Sequence, residues 1–276
     1  MTAIDMTEPP VIERRTASPA RFDFRMLRKQ ARLLLLPLAT AGTIIGAWEA
    51  IVRLRNIPEV LLPAPSVIAE RLIETLPFLL KQAVPTTLET IAGFLISLVL
   101  GIFLAVLVSA SRLAREALYP NIVFFQLIPK IALAPLFIVW LGIGSESRVT
   151  FSVFISFFPV VVATLAGLTS VDRDLLRLCK AVGATDSKVY TRVRFPVAVP
   201  HIFAGLKIAI TFAMIGVIVG EFITAQAGLG YMILFAASQA DMPLIFASIA
   251  LLCVIGLALY GLVVATEAFA LKRYGA

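Results

Sequence analysis

The sequence predicts an all-α protein that crosses a lipid bilayer several times. Two observations carry this. Of 276 residues, 60% are hydrophobic and only 15% charged, against about 25% charged in a soluble domain. The apolar residues also gather into runs long enough to span a hydrocarbon core about 30 Å thick, which takes about 20 helical residues. With a mean hydropathy of +0.97, water is not the main solvent of this chain.

Residues 1–31 hold Pro9, Pro10 and Pro19 with Arg14, Arg15, Arg21, Arg25, Arg28 and Lys29, and little hydrophobic periodicity, so a mobile tail is expected. Residues 32–276 read as one transmembrane domain. The first apolar run, 31–52, is longer than the apolar stretch of a secretory signal and no small-residue cleavage pattern follows it, so it is expected to stay as an anchor. Further runs at 87–110, 121–142, 149–168, 202–225 and 244–268 bring the expected spans to six. Between the first two, Pro63 and Pro65 break the chain. There Val67, Ile68, Leu72 and Ile73 interleave with Glu70, Arg71 and Glu74, which predicts a short amphipathic interfacial helix.

Six crossings put both termini on one side, and the charges agree with that arrangement. One face receives the basic tail, Arg112, Arg115, Arg173, Arg177, Lys180, Lys188, Arg192, Arg194, Lys272 and Arg273. The other receives Arg53, Arg55, Arg71, Lys81 and Arg148. The positive-inside rule makes the first face cytoplasmic. The formal charge of +7 is spread between apolar runs and forms no single basic face, which argues against nucleic acid as a partner. No inverted halves of matching hydropathy are visible, which disfavours an ion-coupled carrier.

The long cytoplasmic loop, 170–201, is the most informative stretch. Leu175, Leu176, Cys179 and Val182 recur at helical spacing behind Asp172 and Asp174, which suit the positive end of a helix dipole. Gly183 can end that helix in the left-handed conformation, and Thr185 with Asp186 can cap another. The second helix carries Val189, Tyr190 and Val193 on one side and Lys188, Arg192 and Arg194 elsewhere, and Pro196 and Pro200 are expected to stop it. Such a knob suits either a groove on a cytoplasmic partner or a surface of anionic lipid.

Gly183, nine intervening residues, then Val193-Arg194-Phe195-Pro196 resemble the loop motif of ABC importer permeases, glycine followed nine residues later by Ile-x-Leu-Pro. Ala181 and Ala184 flank the glycine, and Pro200, Ile202, Gly205 and Leu206 continue the resemblance. The motif's usual Glu-Ala-Ala opening is replaced by Arg177, Leu178 and Cys179. The phrases LLPAPSVI from Leu61, LIPKIALAPLFIVWLGIG from Leu127 and GLGYMI from Gly228 look like the nitrate, sulfonate and taurine branch.

This resemblance implies a MetI-like, type I importer permease fold in a bacterial inner membrane, with both termini cytoplasmic. It also implies a homodimer served by two cytoplasmic ATPase subunits and an extracytoplasmic solute-binding protein. Ala181, Gly183, Ala184, Val189, Tyr190, Val193, Phe195, Pro196, Pro200, Gly205 and Leu206 would form the ATPase-coupling loop. The implied solute is small and anionic, with riboflavin or a thiamine pyrimidine precursor as the alternative, and it moves by alternating access.

The chain itself is expected not to be an enzyme and to bind no cofactor. It has no G-x-x-x-x-G-K-[ST] phosphate loop, so ATP and Mg belong on a partner chain. His201 is the single histidine, and Cys179 and Cys253 form no C-x-x-C spacing, so no metal site is expected. The alternative class is an ATP-independent carrier or channel. An ionisable group at membrane depth costs about 2.5–3.5 kcal/mol, so Glu49, Glu89, Lys130, Glu221 and Glu267 should face protein or a water-filled path. Glu49 and Glu267 look interfacial. Glu221, with Gly228 and Gly230 soon after it, is expected to form a gate or a hydrogen bond within the helix bundle. Lys130 sits between Pro129 and Pro135, which break the helix. It either attracts an anion along the path or snorkels to the interface.

Overall fold

The structure, a computed structural model, describes the backbone of residues 24–224 and 226–274. Every regular element among the described residues is helical. The chain divides into two compact units, Met1–Ile51 and Val52–Ala276.

The first unit carries most of α1 (Phe24–Leu54). Leu38, Ile44, Ile45 and Ile51 are exposed along it, as a lipid-facing helix requires. The helix starts inside the stretch expected to be a tail; residues 1–23 of that tail lie outside the described residues.

The second unit is a helical bundle. Its first helix, α2 (Pro65–Ala110), runs 46 residues without interruption. The interfacial helix expected before the second span is therefore the leading part of that span's own helix. Pro65 starts it at a position where the missing N–H costs nothing. Pro77 and Pro85 lie inside and do not end it.

The third span is broken. Helix α3 (Arg112–Leu127) begins directly after α2, capped by Ser111, whose hydroxyl accepts from Ala114 N at 3.3 Å. After Pro129, which cannot donate to the helix ladder, a 3₁₀ turn (Lys130–Leu133) leads into α4 (Ala134–Leu141). The two halves meet at 88°. Helix α5 (Ser145–Thr169) follows.

The expected loop forms α6 (Arg173–Ala181), then α7 (Asp186–Val189), a π turn (Tyr190–Arg194) and α8 (Phe195–Thr224). The prolines do not stop the second loop helix. The chain is helical from Asp186 to Thr224, 39 residues, so the loop and the fifth span are one rod. Pro196 has no N–H to offer the carbonyl four residues back and its ring crowds that carbonyl. The π turn just before it, closed by Phe195 N donating to Tyr190 O, takes up this misfit without breaking the helix.

A short α9 (Leu229–Ser238) and a long α10 (Met242–Tyr274) complete the bundle. Among the described residues five helices are long and apolar enough to cross a membrane, up to six if the bent pair counts as one span. Helix α8 lies at the centre, antiparallel to α5. The two backbones approach closely because a Cβ on Gly216 would sit 2.7 Å from Ser152 Cα, and one on Gly205 would sit 2.9 Å from Pro159 O. Ser152 Oγ donates to Ala213 O at 2.8 Å across the same seam. Buried Val160, Leu168, Ala198, Ile202, Leu206 and Ala209 fill the adjoining core.

Candidate functional site

Two regions at opposite ends of α8 collect the sequence-derived candidates. At the loop end, Asp172 Oδ1 caps α6 by accepting from Asp174 N at 2.7 Å. Gly183 ends α6 at φ +75, with Ala184 N donating to Cys179 O at 2.9 Å and Gly183 N to Lys180 O at 3.0 Å. This reversal satisfies the last carbonyls of α6 and favours glycine, because a side chain at that φ is strained.

The apolar residues of the knob do not all face the same way. Leu175, Leu178 and Val182 are 42%, 60% and 74% exposed, an uncovered apolar strip on α6. Val189 is buried and Tyr190 is half-buried, turned toward the bundle. The ridge expected on the second loop helix therefore packs inward, and the strip on α6 is the surface left for a partner. Tyr190 Oη lies 2.7 Å from Ser109 Oγ in the last turn of α2. Ala181 is exposed, Val193, Phe195, Pro196 and Pro200 are partly buried, and Gly205 and Leu206 lie inside the bundle.

At the far end, Glu221 is 1% exposed and bonded on both oxygens. Thr86 Oγ1 donates to Oε1 at 2.6 Å, and Gly230 N donates to Oε2 at 2.7 Å. Thr86 Oγ1 in turn accepts from Leu229 N at 2.9 Å, and Gln82 Oε1 accepts from Gly228 N at 2.9 Å. Two α2 side chains and one α8 carboxylate thus take the free N–H groups that open α9. The carboxyl oxygens sit at the positive end of the α9 dipole. Gly228 (φ +115) and Gly230 leave room for this: a Cβ on Gly230 would meet Glu221 Oε2 at 2.7 Å. Of the two roles expected for Glu221, the geometry is that of a hydrogen bond within the bundle.

Glu89 of α2 and Arg148 of α5 form a two-point ion pair one turn deeper, Nε to Oε2 at 2.7 Å and Nη2 to Oε1 at 2.5 Å, with side-chain exposures of 9% and 12%. Arg148, expected in an outer loop, is inside the bundle because Glu89 neutralises it there. Glu267 is paired too: its Oε2 is 2.6 Å from Nζ of Lys207 in α8, and it is largely buried. Lys130 sits at the break of the third span, half-buried, with Nζ 4.9 Å from the centre of the Phe158 ring and 3.4 Å from Gln126 O.

Sequence reasoning missed Gln82, Thr86 and Lys207. Lys207 carried a usable signal, a lone base inside the run 202–225. Gln82 and Thr86 carried none, since polar residues beside Pro85 read as a loop. Among the described residues no cluster of histidine, cysteine and carboxylates could hold a metal ion.

Residues 97–272 match the family described as binding-protein-dependent transport system inner membrane component. The chain belongs to this family. Permeases of this kind include a probable ABC transporter permease of Haemophilus influenzae, 34% identical over 82% of this chain and 93% of its own length. They also include the formylaminopyrimidine transport permease ThiX of Halalkalibacterium halodurans, 38% identical over 76% of this chain and 84% of its own. Among solved structures, an inward-facing MetNI methionine ABC transporter chain superposes with a TM-score of 0.59 at 20% identity, over 71% of this chain and 96% of that one. The fold is thus MetI-like, and the chain is a multi-pass ABC permease. The family match includes the loop, Lys130, Glu221, Gly228 and Gly230. Gln82, Thr86 and Glu89 lie N-terminal to it, so half of the far-end cluster is contributed from outside the matched segment.

Proposed function

We propose that two copies of this permease form the solute path of an importer, working by alternating access. Two cytoplasmic ATPase subunits, which carry ATP and Mg, drive it, and an extracytoplasmic binding protein delivers the solute. Both termini and the 170–201 loop lie on the cytoplasmic side, where the excess of lysine and arginine belongs. One observation carries this reading: the loop presents an uncovered apolar strip on α6 and is continuous with the central span α8. A partner that grips the knob would therefore move the path directly. The gripping surface is α6 with Ala181, Gly183 and Ala184, and Val189, Tyr190, Val193, Phe195, Pro196 and Pro200 root it in the bundle.

The test is a mild-detergent pull-down from native membranes, wild type beside Gly183→Val. A β-branched residue at φ +75 distorts the turn without touching the spans. An ATPase subunit with a phosphate loop should copurify with wild type and be lost from the variant. If no ATPase accompanies wild type, the chain is an ATP-independent carrier or channel.

For the solute, the favoured reading is a small anion, supported by Lys130 at the break of the third span and by the sulfonate-like and taurine-like phrases. A pyrimidine precursor is the second reading, favoured by 38% identity to a formylaminopyrimidine permease. Uptake of taurine against formylaminopyrimidine in cells expressing the whole importer separates the two.

A further inference from the structure

Two polar contacts tie the continuous helix 186–224 to α2, one at each end of the bundle. At the far end Thr86 Oγ1 donates to Glu221 Oε1 at 2.6 Å. At the loop end the Tyr190 and Ser109 hydroxyls meet at 2.7 Å, and Ser109 Oγ also lies 2.9 Å from Val106 O. Thr86 and Ser109 are about 35 Å apart along α2 at 1.5 Å per residue. Ser109 is buried and Tyr190 half-buried, and Thr86 and Glu221 are both 1% exposed.

The position of Tyr190 is specific. It is the first residue of the π turn, where the rod changes its hydrogen-bond spacing to pass Pro196. A π turn is a local change in the helical hydrogen-bond ladder, of the kind frequent at functional sites. Force applied to α6 and α7 reaches this turn before it reaches α8. The side chain anchored at that turn grips α2, the helix whose other end, through Gln82 and Thr86, holds the start of α9. The Tyr190–Ser109 bond gives the loop a route into the bundle besides α8.

We propose that Tyr190 and Ser109 are positioning residues for transport: their hydrogen bond passes movement of the loop to α2, and α2 passes it to the far-end turn at Gly228–Gly230. The inference rests on the importer reading above and deepens it by naming the contact that links the loop to α2.

The experiment uses the whole complex in membrane vesicles, with Cys179→Ser and Cys253→Ser removing the native thiols. Gln226→Cys, an exposed position beside the far-end turn, serves as reporter. The readout is the ATP-dependent change in labelling by a charged maleimide, divided by the ATP hydrolysed. Ser109→Ala and Tyr190→Phe should each lower this ratio roughly two- to tenfold, the range set by one buried hydrogen bond. The double variant should fall no further than either single one, because both delete the same bond. Ser109→Thr, which keeps the hydroxyl, should hold the ratio near wild type.

A merely structural contact would reduce the amount of ATPase retained and leave the ratio unchanged in Ser109→Ala, and that result overturns the proposal. So does a double variant whose loss is the product of the single losses. If wild type itself shows no ATP-dependent change, the importer reading fails, a different result from a wild-type response that the variants keep in full.

Discussion

Replacing Glu221 by alanine should destabilise the far end of the bundle more than any other single truncation there, and its size follows from the bonds it removes. The side chain accepts from Thr86 Oγ1 and from Gly230 N and is 1% exposed, so Glu221→Ala strands the Gly230 N–H and leaves the Thr86 hydroxyl only Gln82 O, 3.5 Å away. The stranded N–H costs about 1–3 kcal/mol and the displaced hydroxyl about 1 kcal/mol. With the space vacated by the side chain, the total comes to about 3–6 kcal/mol. For a domain of this size that corresponds to a fall of roughly 6–24 °C in Tm.

Glu221→Gln keeps an acceptor for Gly230 N and fills the same volume. It only forces the Thr86 hydroxyl to turn toward Gln82 O, 3.5 Å away, and should cost about 1 kcal/mol, or roughly 2–4 °C. The assay is thermal unfolding of detergent-purified protein followed by size-exclusion fluorescence, with all variants heated at one rate because such unfolding is irreversible. An alanine variant melting within about 2 °C of wild type, or a glutamine variant falling as far as alanine, would show that Glu221 is not the cap of α9.

Arg148→Met should cost about 3–5 kcal/mol by leaving Glu89 buried without its partner, and combining it with Glu89→Gln should recover much of that loss in the same melting assay. Gly216→Val should separate α5 from α8, since even its Cβ would lie 2.7 Å from the Ser152 backbone; loss of the monodisperse chromatographic peak is the expected sign. Lys130→Met removes a cation over the Phe158 ring worth about 0.5–2 kcal/mol, so Tm should move by roughly 8 °C at most. If the solute is an anion, uptake should nevertheless fall severalfold, and unchanged uptake would leave Lys130 a structural group.

The spans were legible because bilayer thickness imposes a length on apolar runs that little else imposes. The left-handed turn at Gly183 was legible because few residues tolerate it. Other features depended on partners distant in sequence. Nothing around Arg148 announces that Glu89, 59 residues away, will neutralise it inside the bundle. Nothing around Glu267 announces that Lys207 of another helix will pair with it. Pro196 misled for a local reason: proline forbids one hydrogen bond and crowds one carbonyl, and the π turn before it removes both objections while keeping the rod intact; Pro200 is carried inside α8 without such a turn. Thr86 and Gln82 were illegible because their chemistry is directed at the backbone of α9, which carries no side-chain signature. The division of Val189 and Tyr190 from the exposed α6 strip was hidden for the same reason, since both stretches have similar apolar spacing.

The right-angled third span has a consequence for how the protein enters its membrane. Helix α4 is eight residues, about 12 Å, and cannot cross the hydrocarbon core alone. Helix α3 carries Arg115 and Glu116 near its start, and the turn at Pro129 leaves carbonyls that lipid cannot satisfy. Neither half is therefore a competent stop-transfer signal during synthesis. The pair has to be delivered together with α5, whose Phe151, Phe154 and Phe158 give Phe137 and Lys130 their packing partners. The bent pair is therefore expected to settle in the bilayer only once α5 has been made, so a nascent chain that ends before residue 145 should leave this segment accessible to a water-soluble label.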